Sequence, residues 1–184
     1  MGERILVAMS GGVDSSVAAA LLLDAGHEVV GVTMKLWGGE SDSGCCSVSD
    51  VDDARWVAAQ LGIEHHVFNF GEEFTRHVVT PWVDTHRSGG TPNPCIECNR
   101  HIKFDLFVER ATMLGFDRIA TGHYARLEQV ADGSLRLRRG VDDQKDQSYV
   151  LHMVGQRVLE RLSLPIGGWT KPDLRAEAER RGLL

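Results

Sequence analysis

Two rhythms of apolar and polar positions alternate along the chain. Short, solidly apolar runs rich in β-formers give way to longer segments with helical spacing, and glycines or polar clusters divide them. Ile5-Leu6-Val7-Ala8 predicts a strand over Arg4–Ala8, and Val17-Ala18-Ala19-Ala20-Leu21-Leu22-Leu23 predicts a helix over Ser15–Ala25, stopped by Gly26. A second strand is expected over Glu28–Met34, followed by a polar, Gly-rich loop through Ser49. Asp50 then N-caps a helix over Asp50–Leu61 that Gly62 ends. Glu64–Phe70 reads as a third strand and Glu72–His86 as a helix despite Pro81. Ser88–Asn99 reads as a loop stiffened by Pro92 and Pro94, before a helix over Arg100–Leu114 and a short strand over Arg118–Thr121. The rhythm then changes: Leu127–Gln129 and Leu135–Arg139 predict a hairpin closed at Asp132-Gly133, and a last helix follows the turn Gly167–Pro172.

Repeated strand–helix units predict an α/β fold, a doubly wound and mostly parallel sheet with helices on both faces. Such sheets bind ligands at the carboxyl ends of their strands. That edge carries the loops after residues 8, 34, 70 and 121, so Ser10, Met34 and Gly122 are expected to converge there. At 184 residues, residues 1–184 are expected to form one domain. An apolar content of 42% and a charged content of 25% suit a soluble core. No apolar run approaches the ~20 residues that span a bilayer, and Met1-Gly2-Glu3-Arg4 leads straight into the first strand. No membrane partner and a cytoplasmic location are therefore expected. The net charge of −6 argues against binding nucleic acid through bulk charge. It leaves room for a local patch among Arg87, Arg100, Lys103, Arg136, Arg138, Arg139 and Lys145.

The first turn carries the candidate chemistry. A strand, then Ser10-Gly11-Gly12-Val13-Asp14-Ser15-Ser16, then a helix N-terminus is an arrangement that aims free backbone N–H groups at an anion. Gly11 and Gly12 let the backbone approach phosphate oxygens, and the serines add hydroxyls. No lysine lies between Met1 and Met34, which excludes the Walker A loop, and Gly-Gly-x-Asp is not the dinucleotide fingerprint. Ser10–Ser15 resembles the pyrophosphate loop of the ATP-pyrophosphatase group. That resemblance implies ATP cleaved between its α and β phosphates, an adenylated substrate, and Asp14 near magnesium-bound phosphates.

The second unusual segment is Thr91-Pro92-Asn93-Pro94-Cys95-Ile96-Glu97-Cys98-Asn99-Arg100. Cys98 falls at the edge of the expected helix, where the helix dipole, Arg100 and Lys103 favour a thiolate. Such a sulfur is a nucleophile, a sulfur carrier or a metal ligand, and Cys-x-x-Cys serves all three. Cys45-Cys46 make a poor second chelating pair for structural zinc and read as loop packing. His65-His66 read as structural, and Trp37, Trp56, Trp82 and Trp169 as anchors of core or loop.

With these pieces, together with Gly31–Trp37, Asp50–Arg55, Ala120-Thr121-Gly122-His123-Tyr124-Ala125 and Asp143–Leu151, the chain resembles the tRNA-specific 2-thiouridylases over nearly all its length. The resemblance implies a tRNA-uridine 2-sulfurtransferase acting on the wobble uridine of lysine, glutamate and glutamine tRNAs. ATP would sit on Ala8, Met9, Ser10, Gly11, Gly12, Val13, Asp14 and Ser15, with adenine near the Met34 backbone and Gly122. Cys98 matches the first catalytic cysteine, Asn93, Pro94 and Cys95 the segment facing the target base, and His123 and Lys145-Asp146-Gln147 the tRNA contacts. An upstream protein would donate a persulfide, carried by a second cysteine expected beyond Leu184, together with a linking domain and a β-barrel. Cys95 and Cys98 could instead ligate an iron–sulfur cluster with a further cysteine. The rival readings are a small-molecule ATP-pyrophosphatase and a nucleotide- or zinc-binding module without catalysis.

Overall fold

In the computed structural model, which describes residues 2–36 and 48–183, the two rhythms sort onto one parallel sheet. Strands β1 (Arg4–Ala8), β2 (Glu28–Lys35), β3 (His65–Asn69) and β4 (Arg118–Ala120) are joined by β7 (Leu162–Ser163) in the order β3-β2-β1-β4-β7, all pairs parallel. Between β4 and β7 in sequence, β5 (Ala125–Gln129) and β6 (Leu135–Arg139) form a separate antiparallel ribbon. Its turn is the expected one, with Gly133 at φ 86° and Asp132 Oδ1 accepting from the Ser134 N–H.

Side chains alternate across β1 as the pleat requires. Ile5 and Val7 pack on α1 (Val13–Asp24), α2 (Val48–Leu61) and the last helix, α6 (Lys171–Arg181). Leu6 packs on the opposite face with Phe104, Phe107 and Val108 of α4 (residues 94–113) and Val78 of α3 (residues 71–87). The short α5 (Gln156–Leu159) leads into β7. The expected doubly wound fold is therefore present. α1 lies between the sheet, α2 and α6, and Val17, Ala18 and Ala19 are fully buried. Alanine lets those neighbours approach closely, which explains the Ala run.

Several local expectations change. α2 starts at Val48, so Asp50 lies in its first turn rather than at its cap. Pro81 is tolerated because a π turn over Thr75–Val79 precedes it, with Thr80 N–H donating to Thr75 O five residues back. The Ser88–Asn99 loop is shorter than expected: α4 begins at Pro94, capped by Asn93, whose Oδ1 accepts the Cys95 N–H at 3.0 Å. Proline at the first helical position loses no hydrogen bond, so Asn-Pro here starts a helix rather than stiffening a loop. Trp56 and Trp82 are exposed rather than core anchors, whereas Trp169 packs against the α1 side. Trp37, Cys45, Cys46 and the loop around them lie outside the described residues. Among those described, no helix is long and apolar enough to cross a membrane.

Candidate functional site

The strand order reverses between β1 and β4, and doubly wound sheets bind ligands in the crevice at that point. Here β1 ends at Ala8 and the chain turns. Met9 anchors the turn: its N–H donates to Val32 O at 2.8 Å and its carbonyl accepts the Thr33 hydroxyl at 2.9 Å. Thr33 Oγ1 also meets His65 Nε2 at 2.9 Å, consistent with a structural His65. Gly11 sits at φ +73°, and a Cβ there would lie 2.6 Å from Asp50 O, so only glycine fits between this loop and α2.

Gly12 is the N-cap of α1, and no side chain caps the helix. The backbone N–H groups at the positive end of α1 thus lack a side-chain cap, a setting that favours an anion. The Ser15 and Ser16 hydroxyls each donate to Gly12 O at 3.0 Å, and Ser15 Oγ accepts the Ser10 N–H at 3.2 Å. These serines hold the loop in shape rather than adding free donors.

The loop after β4 lies directly on this helix start. A Cβ on Gly122 would come within 2.9 Å of Ser15 N and 3.0 Å of the Asp14 carbonyl carbon. Two residues on, Tyr124 Oη donates to Asp14 Oδ1 at 2.8 Å. Burial first, then the Asp14 carboxylate it donates to, holds the Tyr124 phenol above its ordinary range, so it stays protonated. The same Asp14 oxygen takes Lys171 Nζ at 2.6 Å, 157 residues away in sequence. Lys171 opens α6, and its own N–H donates to Asp142 Oδ2 at 2.8 Å. In the sequence Tyr124 stands only as part of the Ala120–Ala125 match and Lys171 only as part of the turn before the last helix, and neither is given a role in the site. The Thr170 cap and Pro172 signal a helix start there, but nothing local says that it faces Asp14.

A cavity of about 470 Å³ opens beside Lys171, lined by Lys145, Arg175, Asp142, Pro172 and Glu179. The 145–147 segment is braced into its wall. Gln147 Oε1 accepts the Tyr124 N–H at 3.0 Å and Gln147 N–H donates to Tyr124 O at 2.9 Å. Asp146 accepts from the Gly140 N–H at 2.8 Å and the Ser148 hydroxyl at 2.8 Å. Burial works to raise the Asp146 carboxyl, but these donors and Arg139 hold it below its ordinary value. Asp146 and Gln147 therefore tie the ribbon's base to the β4 loop, whereas Lys145 reaches the cavity.

His123 faces inward. It is buried, its Nδ1 meets Thr121 Oγ1 at 2.8 Å, and its ring lies 5.9 Å from that of Phe104 on α4. Burial, helped by the Lys103 charge, pushes its pKa down to about 3. Between about pH 3 and its unfolded value near 6.5 the unfolded chain binds a proton that the folded chain does not, so stability falls as pH falls through that window. From pH 6.5 to 5 the protein is expected to lose roughly 2 kcal/mol from this group. His123→Asn, which keeps a partner for Thr121, is expected to remove that part of the slope in urea titrations at the two pH values.

Cys95 is exposed on the first turn of α4 and Cys98 is half-buried one turn on, with Asn93 and Pro94 at the helix start. Met34 lies buried near the end of β2, paired in register with Phe68 of β3. Among the described residues no three His, Cys, Asp or Glu side chains are placed to hold a metal ion. The structure thus brings together residues 8–15, 122–124, 145 and 171, with α4 joined to them through Phe104 and His123.

This arrangement is that of a known protein family. The model of the tRNA methyl transferase HUP domain matches residues 3–184. The chain belongs to that family. It is 56% identical over 184 residues to the tRNA-specific 2-thiouridylase MnmA of Chloroflexus aurantiacus, covering 98% of this chain and 51% of the relative. The namesake in Geobacter metallireducens is 51% identical over 189 residues, again covering 98% and 51%. The chain spans about half the length of these relatives, and the resemblance to 2-thiouridylases read in the sequence holds. Among solved structures, a 4-thiouridine synthetase–RNA complex with bound ATP superposes with a TM-score of 0.66 at 19% identity, over 98% of this chain and 41% of that one. The U34-tRNA thiolase NcsA of Methanococcus maripaludis, with its [4Fe-4S] cluster, gives 0.61 at 18% identity, over 99% and 58%. At such identities these two structures show the fold alone, and it is the doubly wound fold described above.

Proposed function

We propose that this chain is the ATP-binding catalytic domain of a tRNA 2-thiouridylase that activates the wobble uridine by adenylation. The observation that carries the reading is the meeting of Ser10–Ser15 with Gly122–Tyr124 around Asp14, in a chain 56% identical to a protein of that name. ATP lies with its phosphates on the uncapped start of α1 and its adenine between Met34 and Gly122. The uridine 2-oxygen attacks the α-phosphorus, a bond to that oxygen forms, and the α–β bridging bond breaks to release pyrophosphate. Adenylation is needed because a carbonyl oxygen is a poor leaving group. The outer sulfur of a persulfide on the carrier cysteine then attacks C2 and AMP leaves. The Cys98 thiolate attacks the inner sulfur, so the S–S bond breaks with its electron pair left on the sulfur at C2, and a disulfide joins Cys98 to the carrier cysteine.

Lys171 lies where the leaving pyrophosphate gathers charge, and Tyr124 holds Asp14 in place. Asp14 is one-third exposed and offers the single carboxylate that Mg²⁺ commonly takes alongside phosphate oxygens, which would neutralise that charge. Among the described residues Cys95 and Cys98 supply two of the three thiolates that an iron–sulfur cluster with one open iron needs, so no step is assigned to one. The outward face of the β5–β6 ribbon supports an RNA partner. It presents Arg126, Arg136 and Arg138, with Glu128 bridging Arg138 at 2.6 Å. That is a locally basic strip in a chain of net charge −6, suited to phosphates of a lysine-, glutamate- or glutamine-type tRNA.

The test is exchange of labelled pyrophosphate into ATP. Exchange that requires unmodified tRNA with a wobble uridine supports the reading, and equal exchange without tRNA favours a small-molecule synthetase. Gly122→Ala is expected to weaken ATP binding about tenfold, because the added methyl pushes on the α1 start, an overpacking cost of about 1–3 kcal/mol. Calorimetric titration with a non-hydrolysable ATP analogue reads it directly.

A further inference from the structure

Tyr149 is 63% exposed, the most exposed aromatic side chain among the described residues. Its backbone is hydrogen-bonded and its neighbours are packed. It lies on the short turn Ser148–Leu151, whose next residues, Val150 and Leu151, are buried at 5% and 1% exposure. The Ser148 hydroxyl donates to Asp146 Oδ2 at 2.8 Å, Val150 N–H donates to Gln147 O at 3.2 Å, and Tyr149 O lies 2.7 Å from His152 Nδ1. The turn packs against the first part of α4, the segment that carries Asn93, Cys95 and Cys98. A large flat ring is thus held in solvent on an element touching the helix proposed to face the target base.

We infer that Tyr149 is a stacking platform for an unpaired nucleotide next to the wobble uridine. The inference rests on the tRNA reading above. For its 2-oxygen to reach an α-phosphate in the crevice, the uridine must leave the anticodon stack, which strips one face of its neighbour. An exposed aromatic ring takes up such a face whatever the base, and a tyrosine, with only two side-chain torsions to order, does so at low entropic cost. The nucleotide held on Tyr149 then sets the position of the uridine beside it. Tyr149 is a positioning residue and touches no reacting atom.

The experiment uses this chain with a 17-nucleotide anticodon stem-loop carrying 2-aminopurine on either side of the wobble uridine. Wild type is expected to quench the fluorophore at one of the two positions. Tyr149→Phe should keep the quench and the affinity, whereas Tyr149→Ala should lose the quench and bind about tenfold more weakly. Melting temperature and ATP affinity should be unchanged in both variants, since the ring is exposed. Quenching and affinity that survive in Tyr149→Ala overturn the inference while leaving the tRNA reading intact. Failure of wild type itself to bind the stem-loop, with ATP still bound, overturns the tRNA reading for this chain and the inference with it.

Discussion

Asp14→Asn is expected to lower tRNA-dependent AMP release by about 10²–10³-fold, the loss typical of removing one aligned charge from a transition state. The expectation follows from Asp14 Oδ1, which holds Lys171 Nζ at 2.6 Å and Tyr124 Oη at 2.8 Å at the start of α1. Asparagine keeps the shape and the hydrogen bond from Tyr124 but cannot balance Lys171 or hold a divalent cation. ATP affinity should fall less than the rate, because the loop N–H groups remain. Lys171→Met should cost a similar factor and Lys171→Arg less, while Tyr124→Phe, which removes only a brace, should be the mildest. The Asp14→Asn/Lys171→Met double variant should lose far less than the sum of the two effects, since both remove one shared contact. Additive losses in single-turnover assays would mean that Lys171 acts apart from Asp14.

Cys98→Ser separates the two halves of the reaction. In a protein of the relatives' full length, formation of 2-thiouridine should fall by about three orders of magnitude or more, as when a nucleophile is removed. A first turnover of AMP and pyrophosphate release should remain, because the phosphate loop lies on α1 and Cys98 on α4, and should then stop with the tRNA still joined to the carrier cysteine. Serine is close in size to cysteine at this half-buried position, so the fold should hold. Cys95→Ser decides between the two roles of the pair. Cys95 is exposed, and a thiol–persulfide exchange through Cys98 needs little from it. A loss as large as that of Cys98→Ser would instead support cluster ligation. Mass spectrometry of digested tRNA measures 2-thiouridine, and chromatography of labelled nucleotide measures AMP.

Much of this architecture is legible in the sequence because it is local. The β1 run, the Ser-Gly-Gly turn and the Ala-rich α1 are contiguous, and Gly11 shows itself by the left-handed turn it must make. The ribbon is equally plain from Asp132-Gly133. What escapes is non-local or very short. β7 has two residues and joins the sheet only because Leu162 pairs with Ile119 across a long connection, so no period could show it. The start of α4 was signalled by Asn93-Pro94, but a Pro-rich stretch reads equally well as a loop. Lys171 is the largest omission: its helix start is written in Thr170–Asp173, whereas its contact with Asp14 exists only because α6 packs beside α1. His123 looks in sequence like a polar loop residue available to a ligand. Only the fold shows that Thr121 and Phe104 turn it inward.

The central claim is that the Asp14 crevice cleaves ATP between its α and β phosphates to activate a tRNA base. Its most direct test is to incubate this chain with ATP labelled at the α-phosphate, with and without unmodified tRNA bearing a wobble uridine. The account predicts label carried onto that tRNA as an adenylate, recovered as AMP when the adduct is hydrolysed, and none on a tRNA carrying cytidine at the wobble position. Labelled ADP, or AMP formed equally without tRNA, would contradict it.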